Sequence, residues 1–194
     1  MTPARISSAP TVGAELIQAG VIATVLALFA IMLYVWFRFE WQFGVGAMLS
    51  TLHDTVTTVG LFALLQIEFN LTTLAAILTI AGYSINDTVV IYDRVRETMR
   101  RNRSMDFRTL INKSLNETLS RTILTVSTVA LAVLSLLVFG GEVLRGFSIA
   151  MLWGIVVGTY SSLFIAAPLL FYIRPKQSAR AASDQVAAEP EKVS

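Results

Sequence analysis

Long uninterrupted runs of apolar residues dominate the pattern along this chain. Three of them, 16–37, 122–141 and 146–173, contain no Asp, Glu, Lys or Arg. About 20 apolar residues in a helix cross the roughly 30 Å of a bilayer's hydrocarbon. Two further runs carry only isolated ionisable residues. The pattern therefore predicts an all-α membrane protein with five spans, over 16–37, 43–65, 71–92, 122–139 and 147–172.

Polar segments divide the chain around this transmembrane bundle, which we place at 16–173. Residues 1–15 form an N-terminal segment before the first span. A loop at 93–121 separates the third span from the fourth. The tail at 174–194 is rich in Ala, Ser, Glu and Lys without periodicity, which predicts disorder.

The loop at 93–121 contains its own periodic pattern. Apolar residues from Phe107 to Leu119 recur at helical spacing, with polar residues between them. This predicts a cytoplasmic amphipathic helix at the membrane surface that leads into the fourth span. The basic residues of the loop have two explanations, the ordinary charge bias of cytoplasmic loops or a docking surface for a cytoplasmic partner.

Composition agrees with a membrane protein and excludes several kinds of site. The chain of 194 residues is 55% hydrophobic and 14% charged, against about 25% charged in soluble domains. The absence of cysteine excludes disulfides, thiolate metal sites and cysteine nucleophiles. The single histidine, His53, argues against a multi-histidine metal site. A net charge of +2 gives no reason to expect a nucleic-acid partner.

The distribution of basic residues predicts the orientation, because Lys and Arg accumulate in short cytoplasmic loops. Arg38, the loop at 93–121 and the tail at 174–194 all fall on one side of the membrane and carry most of the basic residues. The opposite side receives only Arg5 and Arg145. We therefore expect a cytoplasmic C-terminus and an extracytoplasmic segment at 1–15.

Two carboxylates lie inside predicted spans. Asp54 falls near the middle of the second span, and Asp87 falls near the cytoplasmic end of the third. A charged side chain at the centre of a span costs about 2.5 to 3.5 kcal/mol on insertion scales, and it normally faces a partner or a water-filled path. Arg121, at the cytoplasmic start of the fourth span, is the candidate partner of Asp87. Movement of Arg121 relative to Asp87 would change the proton affinity of the carboxylate.

These residues predict a proton pathway of Asp87, Arg121 and Asp54, with structural alternatives. An ion pair between Asp87 and Arg121 could simply hold two helices together. Asp54 could be satisfied by hydrogen bonds to Ser or Thr on a neighbouring helix. His53 could relay protons, since imidazole titrates near neutral pH, or serve only in helix packing.

Small residues recur every four positions in the fifth span. Small side chains on one face allow helices to approach closely. This pattern predicts a tightly packed helix interface at Ala150, Gly154, Gly158, Ser162 and Ala166. Pro168 predicts a kink at the cytoplasmic end of the span.

Several ordered motifs resemble the SecF family of protein-export membrane proteins. They are GYSINDTVVIYDRVRE at 82–97, LHDTVTTVG at 52–60, NKSLNETLSRTILT at 112–125 and FGGEVLRGFSIAMLWGIVVGTYSS at 139–162. Upstream, APTVGAELIQAG at 9–20 is similar to the segment before the family's second span. The resemblance covers about 9–176.

The resemblance implies a fold and a function. It implies an RND-like half of six helices that pairs with SecD, assists the SecYEG channel in the bacterial inner membrane and uses proton motive force to move secreted polypeptides. YajC is a further partner in that setting. The family's intramembrane Asp and Arg fall on Asp87 and Arg121, and its LHD carboxylate falls on Asp54. No cofactor and no enzymatic activity are expected; the coupling ion is H⁺, with Na⁺ as the alternative.

One departure from the family pattern accompanies this resemblance. SecF proteins begin with another span and a periplasmic domain, and neither precedes the matched region here, which accounts for five spans rather than six. The alternative function is a scaffold subunit that stabilises SecD and SecYEG without carrying ions. A small-molecule exporter of the wider RND class shares only the architecture.

Overall fold

The computed structural model describes residues 9–102 and 105–173. The described residues form helices joined by short connections. The helices are α1 (Ala9–Arg38), α2 (Trp41–Leu65), α3 (Leu71–Arg101), α4 (Phe107–Phe139), α5 (Gly141–Ser161) and α6 (Ala167–Ile173), with a π-helical turn at Ser162–Ala166 between α5 and α6.

Five stretches of the described residues are long and apolar enough to cross a membrane. They are α1 from Ile17, α2, α3, α4, and the continuous helix Gly141–Ile173. The prediction of an all-helical membrane protein with five spans is confirmed. The predicted segment at 174–194 lies outside the described residues, as do residues 1–8.

Local features of the sequence fix the start of α3 and the turn between α4 and α5. The Asn70 side chain accepts hydrogen bonds from the backbone N–H groups of Thr72 and Thr73, and the Thr73 hydroxyl accepts one from Asn70 N. This reciprocal capping box fixes the start of α3. Between α4 and α5 the chain reverses within one residue. Gly141 has a φ of 73°, a left-handed conformation that glycine adopts without strain.

Helices α3 and α5 form the centre of the bundle. Half of the most apolar stretch of α3 and 44% of that of Gly141–Ile173 are buried, against 6% for α1 and 11% for α4. Helix α2 packs against both central helices, α4 covers their other side, and α1 contacts α2 and α3. Most of α1 and α4 is therefore exposed on the outside of the bundle.

Helices α3 and α5 run parallel in a constant register. Ile80 of α3 lies against Gly154 of α5, and Ser84 lies against Gly158. The same offset then pairs Thr88 with Ser162 through their hydroxyl groups. Small residues every four positions on α5 thus face a row of α3 residues at the same interval, which lets the two backbones approach closely.

Apolar side chains pack in two clusters along the bundle. The basic-end cluster lies near the end that carries Arg38 and Arg101. It includes buried residues of α1, the α1–α2 connection, α2, α3, α4 and α6: Val35, Phe39, Phe43, Tyr92, Val95, Met99, Phe107, Leu110, Ile111 and Leu170. The distal cluster lies toward the opposite end and includes Phe62, Ala76, Ile77, Ile80, Val133, Ala150, Met151 and Ile155. A layer of polar side chains separates the two clusters.

Helix α4 changes the interpretation of the loop at 93–121. Helix α3 continues to Arg101, and α4 begins at Phe107, so only a short connection joins them. The amphipathic helix is the first part of α4, continuous with the span that follows. Its apolar residues Phe107, Leu110 and Ile111 are buried in the basic-end cluster. Protein packing, rather than the membrane surface alone, accounts for that apolar face.

Candidate functional site

The Asp54 carboxylate occupies the centre of the polar layer and is fully buried. Ser84 of α3 donates a hydrogen bond to Asp54 Oδ2. Ser161 of α5 donates a second one to the same oxygen, at 2.8 Å. His53 Nδ1 lies 3.1 Å from the other oxygen, Oδ1. Three helices therefore meet on one carboxylate, whose oxygens both have partners.

Neighbouring threonines do not supply these partners. The hydroxyl groups of Thr57 and Thr58 donate to the backbone carbonyl of Asp54, and that of Thr51 donates to Ala47 O. A Thr hydroxyl in a helix readily bonds the carbonyl one turn earlier, so its side chain satisfies itself locally. The hydrogen bonds that Asp54 accepts from neighbouring helices come from two serines, Ser84 and Ser161.

Further hydroxyl groups extend the polar layer toward the basic end. Ser50, one turn from Asp54 on α2, donates to Ser161 Oγ at 2.9 Å. The hydroxyl groups of Thr88 and Ser162 lie 2.8 Å apart. The side chains of Ser50, Thr88 and Ser162 are all buried. Because a hydroxyl can both donate and accept, Ser50 and Ser161 can exchange donor and acceptor roles, as can Thr88 and Ser162.

The π-helical turn lies directly beside the polar layer. Ser161 precedes it and Ser162 begins it, while Tyr92 donates a hydrogen bond at 3.0 Å to the carbonyl of Ala166 at its end. Pro168 lacks the N–H that a regular helix would bond to the residue four positions earlier, which favours a local change of helix geometry here. The π-helical turn lies just before Pro168, and the predicted kink at Pro168 stays a prediction.

Asp87 belongs to a second group, between α3 and α4. Its Oδ1 accepts a hydrogen bond at 2.9 Å from the Thr122 hydroxyl. Its Oδ2 is buried and has no hydrogen-bond partner among the described residues. Buried carboxylate oxygens normally have partners, so this oxygen is conspicuous. Asp87 follows Ser84 by three residues, and one turn of α3 therefore connects this group with Asp54.

The structure does not join Arg121 to Asp87 by a hydrogen bond or an ion pair within residues 9–102 and 105–173. Arg121 is exposed. The next residue, Thr122, is the one that contacts Asp87. The predicted cation is therefore adjacent to the carboxylate but not bonded to it.

The small residues predicted to pack are placed along the inner side of α5. Ala150 lies in the distal cluster, and Gly154 faces Ile80. A methyl group on Gly158 would come within 3.2 Å of Ser84 Cβ. Ser162 adds a hydrogen bond to this contact. The row of small residues thus also brings the serines of the two helices within reach of Asp54.

Sequence reasoning missed Ser84, Ser161 and Thr122 as partners of the carboxylates, and Ser50 as the partner of Ser161. The sequence contained a signal for two of these partners. Ser84 lies three positions from Asp87, and Ser161 borders the row of small residues that recur every four positions. Helical spacing shows which residues share a face, but it does not show which face meets another helix. Within the described residues, no group of three or more His, Asp or Glu side chains could hold a metal ion.

Comparison with known proteins identifies relatives over nearly the whole chain. Residues 5–176 match the family described as "Protein export membrane protein SecD/SecF, C-terminal". The protein translocase subunit SecF of Rickettsia rickettsii is 53% identical over 161 residues, which are 83% of this chain and 52% of that protein. The corresponding protein of Cereibacter sphaeroides is 50% identical over 171 residues, 88% of this chain and 53% of that protein. The chain thus spans about half the length of these relatives.

Solved structures show the same arrangement of helices. A crystal structure of SecDF in a super-membrane-facing form has a TM-score of 0.77 and 45% identity, with 88% of this chain and 23% of that chain covered. A crystal structure of SecDF from Thermus thermophilus has a TM-score of 0.76 and 46% identity, with 80% and 22% covered. The bundle is therefore similar to part of a much larger membrane protein.

Proposed function

Because this chain belongs to the SecD/SecF C-terminal family of protein export membrane proteins, we propose that it is the membrane part of a SecF-type translocase subunit. It assembles with SecD, assists the SecYEG channel and promotes late steps of the export of secreted polypeptides. YajC is a further partner. It lies in the bacterial inner membrane with its C-terminus in the cytoplasm. It acts as a transport component rather than as an enzyme.

We further propose that the bundle couples this work to the proton motive force. The observation that carries this proposal is the pair of carboxylates in the bundle, one fully buried and one with an unpartnered oxygen. A carboxylate in a span is costly unless it is paired or functional. Asp87 is the proposed proton carrier, because its Oδ2 is free to take a proton without breaking an existing bond.

Asp54 and Arg121 have supporting roles in this proposal. Asp54 exchanges protons through the hydroxyl groups of Ser161 and Ser50, because each hydroxyl can act as donor or as acceptor. Arg121 stabilises the charged form of Asp87 when a conformational change brings the two closer. The coupling ion is H⁺, with Na⁺ as the alternative that carboxylate and hydroxyl oxygens could also bind.

A scaffold function is the second candidate, and one observation favours it. Asp54 has hydrogen-bond partners on α3 and α5, which is how a purely structural polar residue would hold three helices together. In that case the carboxylates stabilise the bundle and its contact with SecD without carrying ions.

The experiment that separates the two compares Asp87→Asn, Asp54→Asn and Arg121→Ala in the full-length protein with SecD. Glu68→Gln serves as the matched control, because it removes an exposed carboxylate in the connection between α2 and α3. Co-purification with SecD is measured first, and proton flux and polypeptide export in vesicles follow.

We expect Asp87→Asn to assemble with SecD but to lose proton flux and export stimulation, while Glu68→Gln retains both. Normal flux and export by an assembled Asp87→Asn variant would refute ion coupling. Failure of the three site variants to co-purify would favour the scaffold. Flux driven by a pH difference in sodium-free buffer distinguishes H⁺ from Na⁺.

A further inference from the structure

A charged cleft opens at the basic end of the bundle, away from the polar layer. It has a volume of about 300 Å³ and is lined by Arg38 from the end of α1 and by Asp93, Arg96, Glu97 and Arg100 of α3. The α3 residues follow helical spacing, so one face of α3 forms one wall. Arg38 contributes the other wall.

The cleft has an excess of positive charge. Glu97 is already engaged by two guanidinium groups outside the lining, because its oxygens accept from Arg94 Nη1 at 2.6 Å and from Arg101 Nη2 at 2.8 Å. Within residues 9–102 and 105–173, Arg38, Arg96 and Arg100 have no carboxylate partner. Asp93 is then the remaining carboxylate against three guanidinium groups.

Two of these cations are held in place by one aromatic ring. The guanidinium carbons of Arg38 and Arg96 lie 5.2 Å and 5.6 Å from the centroid of the Phe39 ring, within the range of a cation–π contact. Phe39 itself is only 5% exposed and packs in the basic-end cluster. Its fixed position orients two like charges toward the same space, which an anion between them would stabilise.

The neighbouring side chains indicate the depth of the cleft in the membrane. Trp36, Phe37 and Trp41 flank Arg38 in sequence and are exposed, with Phe37 81% exposed. Exposed aromatic residues at the ends of apolar helices typically lie at the level of the lipid headgroups. The cleft therefore opens where phosphate groups of the bilayer are concentrated, and basic pockets between transmembrane helices bind such headgroups.

We propose that this cleft binds the phosphate headgroup of an anionic phospholipid. Guanidinium groups form paired hydrogen bonds with phosphate oxygens, and three of them converge here from two helices. A soluble phosphate shares the same chemistry. The lipid is the occupant we propose because the exposed aromatic side chains place the cleft at headgroup depth.

Native mass spectrometry of the full-length protein in neutral detergent tests this site. Phosphatidylglycerol or cardiolipin is titrated in, with phosphatidylcholine as the neutral comparison. Arg96→Gln/Arg100→Gln removes two charges from the cleft. Arg108→Gln/Lys113→Gln removes two exposed charges from α4 at the same end of the bundle. The melting temperature of each variant checks that it is folded.

We expect one tightly retained anionic lipid per chain and an apparent affinity that falls at least about tenfold in the cleft variant, because two of the basic residues that attract the anionic headgroup are removed. Arg38→Gln should weaken binding as well, because it removes a charge from the opposite wall. The α4 variant should keep the affinity of the unmodified protein within about twofold.

Three outcomes would overturn the proposal. Equal weakening in the cleft and α4 variants would indicate diffuse attraction to the whole basic end. Equal retention of phosphatidylcholine would show that headgroup charge does not matter. Displacement of the lipid by millimolar inorganic phosphate would identify a site for soluble phosphate instead.

Discussion

Gly154 offers a direct test of the close contact between α3 and α5. The three nearest atoms that a methyl group on Gly154 would meet are Cγ1, Cγ2 and Cδ1 of Ile80. All three would lie closer than van der Waals contact allows. Ile80 is 2% exposed and packs in the distal cluster, so its side chain has little space to move. Gly154→Ala should therefore lower the free energy of unfolding by about 1 to 3 kcal/mol, as overpacking of a filled core does.

Gly82→Ala provides the matched control in the same bundle. Gly82 lies within α3, is exposed, and has no atom within 4 Å of the position that its methyl group would take. This substitution should be neutral or stabilising by up to about 1 kcal/mol, because alanine favours a helix over glycine. Unfolding in mixed detergent with increasing dodecyl sulfate, followed by tryptophan fluorescence, compares the two variants.

A double-mutant cycle with Ile80→Ala assigns the cost to this contact. Ile80→Ala removes all three crowded atoms and by itself leaves a cavity, at a cost of about 2 to 5 kcal/mol in soluble cores. With Gly154→Ala present, the new methyl group occupies part of that space. The loss of unfolding free energy in the double variant should be smaller than the sum of the two single losses by about 1 to 3 kcal/mol. Additive effects, or equal stability of Gly154→Ala and Gly82→Ala, would refute the close approach.

Three further predictions follow from the hydrogen bonds, and unfolding in the same detergent system tests the first two. Ser161→Ala removes a donor to Asp54 and should cost about 1 to 3 kcal/mol; no loss would argue against the layer of hydroxyl groups. Tyr92→Phe removes the bond to Ala166 O and should cost about 0.5 to 1.5 kcal/mol. Asn70→Ala removes the capping box of α3 and should cost about 1 kcal/mol, with faster amide exchange in the first turn; unchanged exchange would contradict this role.

The existence and approximate limits of the spans could be predicted from the sequence. An apolar run of 20 residues without charge has few stable alternatives to a membrane helix, since its backbone groups bond internally and its side chains prefer lipid or protein to water. The end of α3 and the start of α4 were harder to predict from the sequence. Both helices extend into the predicted polar loop at 93–121. They do so because Val95 and Met99 of α3, and Phe107 and Leu110 of α4, are buried together in the basic-end cluster.

The candidate site was predicted in part. Asp54 and Asp87 could be singled out because a carboxylate in a span is costly wherever it lies. Their partners could not, because a partner on another helix depends on how far each helix is rotated about its axis. Arg121 was the obvious cation for Asp87, yet one residue further along, a rotation of about 100°, places the Thr122 hydroxyl on the carboxylate instead.

The sequence by itself determined that this is a helical membrane protein with costly carboxylates inside it and small residues along its last span. Those properties depend on the composition of each segment and on its period, which local chemistry decides. Tertiary structure alone decided that α3 and α5 run in a constant register, that Ser84 and Ser161 meet on Asp54, and that Arg38 and Arg96 share the Phe39 ring. These contacts join residues far apart in the chain, so they follow only from how the helices pack.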